Sequence, residues 1–549
     1  MAVAVSADPK PVSAGGVTVR CVGDDVVAAR DGALEANLGI AARIAGKDAG
    51  LWGPDAAAEA AVRLGWLDCA TVSRSLVPEI EALRAELAAR GVDHVVLAGM
   101  GGSSLAPEVI AATYGVELTT LDTTDPGQVS SALSDRLDRT VLVVSSKSGG
   151  TIETDSHRRA FEEAFRNVGI DPVERIVVVT DPGSPLQRLA TEAGYRVFEA
   201  DPNVGGRYSA LTAFGLVPSG LAGVPIGELL DAAAAIAATL SGDYGNAAVA
   251  LGAALGGYGA QGHDKVVIAD AGSGIKGFGD WAEQLIAEST GKSGRGLLPV
   301  VVASPDSPGF DATADTHLVT IGATPPAAGG TAVDGPLGGQ FLAWEFATAV
   351  AGRLLAIDPF NQPNVQESKD NTKAVLEAAK DGPLPTGQAL FTDGPIEVYG
   401  DRAHIGDAKD VTGVIDALLA AVPSTGYLAV MAYLDRLHDA ATADLRDLLA
   451  ARIRHPVTFG WAPRFLHSTG QFHKGGPPVG VFLQITGNVA ADLAIPGQPF
   501  SFGRLQMAQA LGDLQALQGR SRPAVRLHLT DRAAGIAALL AAARGESRR

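Results

Sequence analysis

The chain has 549 residues, a formal net charge of −18 and 46% apolar content, enough to bury more than one core and to divide into about three units of ordinary domain size. The acidic balance and 5% aromatic content offer no basic stripe for nucleic acid, and no charge-free apolar stretch is long enough to span a membrane. Only Cys21 and Cys69 are present, which excludes a disulfide framework and a cysteine-rich zinc site; with a start (MAVAVSADPKPVSAGG) unlike a secretory signal, they point to a cytoplasmic protein.

The first segment, residues 1–71, reads as mainly helical. Beyond it, short β-branched runs alternate with helical patterns: HVVLAGM, TVLVVSS, RIVVVTD and YRVFEA, then DKVVIAD, LLPVVVAS and THLVTIG, then GYLAVMAYL, HPVTFGW, GVFLQIT and AVRLHLT. Such alternation predicts an α/β protein of parallel sheets flanked by helices. The groups define units over 72–235, 242–380 and 386–549, with GLVPSGLAGVPIG and AKDGPLPTGQ as candidate boundaries.

Ligands of open α/β sheets bind beyond the carboxyl ends of strands, and SSKSGGT (145–151) stands at such an end. Ser146, Ser148 and Thr151 offer hydroxyls and Lys147 a compact charge, a composition that suits a phosphate monoester. An ordinary turn with Thr151 as N-cap explains the same residues. GMGGSS (99–104) follows another strand and misses both the dinucleotide fingerprint and the nucleotide P-loop, but it puts Gly102 and Ser103 at a second rim.

Next, VGGRYSALTAFG sets Arg207 directly after Gly205 and Gly206. In GDWAEQLIAESTGK, Gln284 and Glu288 fall one helical turn apart, with Gly291 as a stop. In DPFNQPNVQESK, Pro363 suits a first helical turn, so Gln362 and Lys369, seven apart, would face the same way. RFLHSTGQFHKGGP carries His467 and His473 in a Gly-rich loop, and the ten histidines show no metal-site spacing.

In this order GMGGSS, SSKSGGT, GGRYS, QLIAESTGK and FNQPNVQESK resemble the glucose-6-phosphate isomerase family, and most of all the isomerase part of bifunctional transaldolase/phosphoglucose isomerases. LWGPDAAAEAAVRLGWLD and PFSFGRLQMAQALGDLQAL also have counterparts there. The resemblance implies two sugar-isomerase (SIS) domains, with a C-terminal α/β unit and a helical N-terminal segment besides. It assigns phosphate binding to Ser146, Lys147, Ser148 and Thr151, and sugar contacts to Gly102, Ser103, Gly206, Gln284 and Gln362. Glu288 would be the base moving a proton between C1 and C2, Arg207 the stabiliser of the enediolate, and Lys369 a partner in ring opening.

The sequence departs from that pattern mainly at one point, besides Asn361 where aspartate is usual and Gln366 where glutamate is usual. The HSxGQ segment, whose histidine opens the sugar ring, follows the lysine motif here instead of preceding it, so His467 would enter the site from the C-terminal unit; only His317 lies between Gly294 and Gln362. The resemblance further implies a small sugar-phosphate substrate, no metal or organic cofactor, and compatibility with a homodimer. The same loops would admit mannose 6-phosphate or a longer sugar phosphate, and the fold also serves sugar-phosphate sensors that do not turn over their ligand.

Overall fold

The computed structural model of the protein describes residues 10–380 and 382–546; residues 1–9 of the expected N-terminal segment and 547–549 of the expected C-terminal unit lie outside the described residues. The chain opens on an antiparallel hairpin, β1 (Val12–Ala14) and β2 (Val17–Val22), inside the segment expected to be mainly helical. The reason is local. Gly15 and Gly16 both adopt positive φ (55° and 84°), as a tight hairpin turn requires, and VTVRCV alternates buried and half-buried residues with the period of a strand.

The first sheet is wholly parallel. Its strands β3 (His94–Gly99), β4 (Thr119–Leu121), β5 (Thr140–Ser145), β6 (Ile176–Thr180) and β7 (Arg196–Glu199) lie in the order β4-β3-β5-β6-β7. Alternate side chains leave opposite faces. Val95 and Leu97 pack with Leu83, Leu87 and Val217, while Val96 and Ala98 pack with Phe161, Phe165 and Leu186. Burial on both faces accounts for the nearly unbroken apolar runs. The Gly/Pro-rich stretch that follows is itself helical, Ala213–Ala222 and then Ile226–Ala237, with Pro218 inside the first helix.

The second sheet takes β8 (Lys265–Asp270), β9 (Leu298–Val302), β10 (Thr316–Ile321) and β11 (Gly330–Asp334), which run parallel, and adds the N-terminal hairpin at one edge: β1-β2-β11-β10-β8-β9. The third repeats this plan. A hairpin, β12 (Phe391–Asp393) and β13 (Ile396–Tyr399), borders the parallel β14 (Tyr427–Tyr433), β15 (Val457–Trp461), β16 (Gly480–Gly487) and β17 (Ala524–Leu529) in the order β12-β13-β17-β16-β14-β15. In both sheets the order runs hairpin, fourth, third, first, second parallel strand.

The second and third sheets share a core. Val267, Ala269, Val300 and Leu318 form one apolar cluster with Ala429, Phe465, Phe472 and Phe482. The expected α/β architecture of parallel sheets flanked by helices is therefore what the chain has, and the third sheet is packed onto the second. Among the described residues no helix is long and apolar enough to cross a membrane.

Within that shared region Lys474 Nζ meets Asp513 Oδ1 at 2.6 Å, with the two side chains 2% and 1% exposed. Removing one partner leaves an uncompensated buried charge. Lys474→Met should cost about 3–5 kcal/mol in urea unfolding, and Lys474→Met with Asp513→Leu should recover most of it; a double variant no more stable than the single one would contradict this account.

Candidate active site

Four segments distant in sequence meet where the carboxyl end of the first sheet faces the end of helix Phe278–Thr290. This helix presents Gln284 and Glu288 on one face, as their spacing predicts, and Gln284 Nε2 donates to Glu288 Oε2 at 3.1 Å. The same amide nitrogen donates to the His467 carbonyl at 2.9 Å. The loop carrying His467 thus reaches the Glu288 helix from the C-terminal unit. Phe465 and Phe472, fully buried on either side of it, hold it against the second sheet.

Arg207 approaches from the first sheet's side. It lies on the short 3-10 turn Gly206–Tyr208 and is 3% exposed. Its Nε donates to Ser289 Oγ (2.8 Å), its Nη1 to Gln362 Oε1 (2.9 Å), and its Nη2 to the carbonyls of Pro359 (2.8 Å) and Asn361 (3.0 Å). Four of the five guanidinium N–H groups are thereby spent on the protein. Nη1 also stands 3.5 Å from Glu288 Oε1, an ion pair too long for a good hydrogen bond.

Gly102 ends beside Gly206. A Cβ built on Gly102 would lie 1.9 Å from the Gly206 carbonyl oxygen, so only glycine lets these two loops touch. Ser103 closes the same 3-10 turn, Gly101–Ser103, and is half-buried.

Gln362 does not share a helix with Lys369. The helix starts at Val365, and Gln362 and Pro363 belong to the preceding loop. Arg207 and the buried Lys292 instead hold the loop ahead of the helix: Lys292 Nζ donates to the carbonyls of Asp358 (2.7 Å) and Asn361 (2.5 Å). Lys369, on the helix Val365–Ala379, is exposed.

The loop 145–151 joins β5 to helix Ile152–Asn167. Thr151 occupies the N-cap position but makes no capping hydrogen bond; its hydroxyl accepts from Ser146 Oγ at 3.2 Å. Ser146 Oγ also accepts from the Gly149 N–H (3.2 Å), and Ser148 Oγ from the Gly150 N–H (3.3 Å). Lys147 Nζ turns to Asp181 Oδ2 at 2.5 Å. Burial lowers the lysine pKa and raises that of Asp181 in spite of the contact.

Glu153, two residues beyond Thr151, was not singled out by composition or motif. Its Oε1 lies 3.1 Å from His467 Nε2 and accepts from Gln509 Nε2 at 2.7 Å. Burial opposes its ionisation, but the His467 imidazole, a hydrogen bond to it, and the charge of Lys369 outweigh burial and hold the carboxyl at about 2. The available signal was an acid in the first turn of a helix, a placement favoured by the helix dipole and too common to stand out. The other two histidines considered sit elsewhere. His317 is buried on β10 and bonds Thr331 Oγ1 (2.9 Å); His473 is buried against Tyr427 Oη (3.0 Å), with its pKa pushed down to about 3 by burial and then by Lys474 and Arg522.

Residues 74–293 match the family model described as phosphoglucose isomerase. The chain is 34% identical over 212 residues to a probable glucose-6-phosphate isomerase of Haloquadratum walsbyi, covering 38% of this chain and 49% of that one. It is 38% identical over 211 residues to a glucose-6-phosphate isomerase of Acaryochloris marina (36% and 40% covered), and 29% over 341 residues to a probable glucose-6-phosphate isomerase of Haloarcula marismortui (52% and 78%). The matched stretch thus spans half or less of the length of the first two relatives. Among solved structures, a glucose-6-phosphate isomerase of Chlamydia trachomatis superposes with a TM-score of 0.53 at 20% identity over 68% of this chain and 90% of that one. A hypothetical protein of Thermus thermophilus gives 0.55 at 23%, over 65% and 99%. At these identities the two structures speak for the fold alone.

The Glu153 carboxyl yields a prediction with a definite sign. Its folded pKa lies below the ordinary 4.5, so its contribution is present above pH 4.5 and lost as pH falls through about 2. Glu153→Gln should remove on the order of 3 kcal/mol at neutral pH and flatten the dependence of stability on pH below 4.5, measured by urea unfolding across that range. An unchanged slope would contradict the assignment.

Proposed function

We propose, from the match of residues 74–293 to the phosphoglucose isomerase family model, that the chain interconverts glucose 6-phosphate and fructose 6-phosphate through a cis-enediolate. The observation that carries this reading is the meeting of Glu288, Gln284, Arg207 and His467 within 3.5 Å contacts, with the helix that follows the 145–151 loop supplying Glu153 to the same cluster.

The phosphate would sit in the 145–151 loop, on the hydroxyls of Ser146, Ser148 and Thr151 and the first N–H groups of helix Ile152–Asn167. A dianion arriving there would compete with Asp181 for the Lys147 ammonium. Gly102, Ser103 and Gly206 line the approach of the sugar.

Ring opening moves a proton between the ring oxygen and the anomeric hydroxyl. His467 suits this step because Glu153 engages one imidazole nitrogen and leaves the other for the sugar, while Lys369 adds positive charge nearby. Glu288 then takes the C2 proton and returns it to C1. Gln284 aims that carboxylate through its 3.1 Å hydrogen bond.

Arg207 acts chiefly as a fixed charge, since most of its donors are committed to the protein. An enediolate oxygen about 4 Å from the guanidinium gains roughly 4 kcal/mol at an effective dielectric constant near 20, which lowers a barrier by nearly three decades in rate. Being preorganised, it reorients little as charge develops. Every side chain in this scheme comes from one chain, so the chemistry asks for no second copy. The two cysteines, both unpaired and buried, are consistent with a reducing cytoplasm.

Two measurements test the reading. Glu288→Gln should lower turnover of fructose 6-phosphate at least a thousandfold while binding of the sugar phosphate, read by calorimetry, stays within a few-fold; retained turnover would dismiss Glu288 as the base. His467→Ala should cost much more on fructose 6-phosphate than on 5-deoxyfructose 6-phosphate, which has no hydroxyl to close a furanose. Equal losses on both would remove His467 from ring opening.

A further inference from the structure

Three residues before His467, Arg464 begins the 3-10 turn Arg464–His467. Residues three apart in such a turn share a face, and here that face looks into the first sheet's unit. His467 reaches Glu153, while Arg464 Nε donates to Asp122 Oδ2 at 2.6 Å and its Nη2 pairs with Glu108 Oε2. Asp122, just past β4, is 1% exposed and also accepts from Ser104 Oγ of the glycine loop at 3.4 Å. Glu108, on helix Leu105–Tyr114, is shared with Arg436 Nη1 at 2.8 Å. Asp280, on the Glu288 helix, lies 3.7 Å from Arg464 Nη1. Arg464 itself is 9% exposed.

We propose that Arg464 is a positioning residue: its fork onto Asp122 and Glu108 fixes the turn that holds His467 against Glu153 and in front of the sugar. This rests on the isomerase reading. The apolar core around Phe465 and Phe472 attaches the loop to the second sheet, and Gln284 reaches only its backbone, so Arg464 is the side chain beside His467 that locks the turn to the first sheet's unit, where Glu153 stands. A planar guanidinium suits the task because it binds two carboxylates in set directions, which a lysine ammonium does not. Small displacements of a proton-transferring group cost large factors in rate.

The test is a cycle of Arg464→Met and His467→Ala, assayed on fructose 6-phosphate and on 5-deoxyfructose 6-phosphate. Arg464→Met should lower kcat on the cyclic substrate tenfold or more with KM within threefold, and lower the rate on the acyclic one less than threefold. In the His467→Ala background the same substitution should cost less than twofold, because a residue acting through His467 has nothing left to position. Arg464→Lys should restore part of the loss. Equal losses on both substrates, or the full factor again in the His467→Ala background, would overturn the proposal. If Arg464→Met does not fold, Glu108→Gln, which removes one of the two carboxylates, passes through the same cycle under the same criteria. Wild-type protein inactive on both substrates would overturn the isomerase reading itself, a result distinct from an active wild type whose variants lose both activities alike.

Discussion

One side-chain amide joins two distant segments of the candidate site. Gln284 Nε2 donates at once to the Glu288 carboxylate and to the backbone carbonyl of His467, so the geometry of a helix in the second sheet's unit and that of a loop in the third are set by a common donor. Everything else in the cluster is arranged around this contact. Arg207 closes one side, its donors absorbed by Ser289, Gln362 and the 359–361 backbone. Glu153 and Gln509 close the other.

An acidic chain has to ration its cations, and this one concentrates them where carboxylates converge. Arg464 and Arg436 answer Glu108 and Asp122, Lys474 answers Asp513, Lys292 is turned onto backbone carbonyls, and Arg207 spreads its donors over carbonyls, Ser289 and Gln362 while standing 3.5 Å from Glu288. Those last two fix the 358–361 loop, and burial, with Arg207 beside it, pushes the Lys292 pKa down. The Arg207 guanidinium thus sets a positive charge beside Glu288 in a protein whose net charge is negative.

Much of the fold was legible because fully buried parallel strands announce themselves as apolar runs; HVVLAG and TVLVVS carry side chains into cores on both faces. The site was legible wherever a motif is also a contact within one segment, as with Gln284 and Glu288 one turn apart. Contacts between segments were not. Glu153 is an ordinary first-turn acid until His467 arrives from 314 residues away, and the helix expected from Pro363 begins at Val365, after a loop whose carbonyls Arg207 and Lys292 hold. The opening hairpin hid in a short alternating stretch with only a Gly-Gly pair to mark it. The matching strand order of the second and third sheets left no motif at all, since topology is conveyed by which strands pair and not by what they contain.

The packing of the third sheet onto the second limits how the chain can be divided. The second sheet turns Val267, Ala269, Val300 and Leu318 toward the third, so a polypeptide stopped before the third sheet would present a bare greasy wall to water and would also lack His467. Solubility and chemistry are fastened to the same appendage, which therefore cannot be shed gradually.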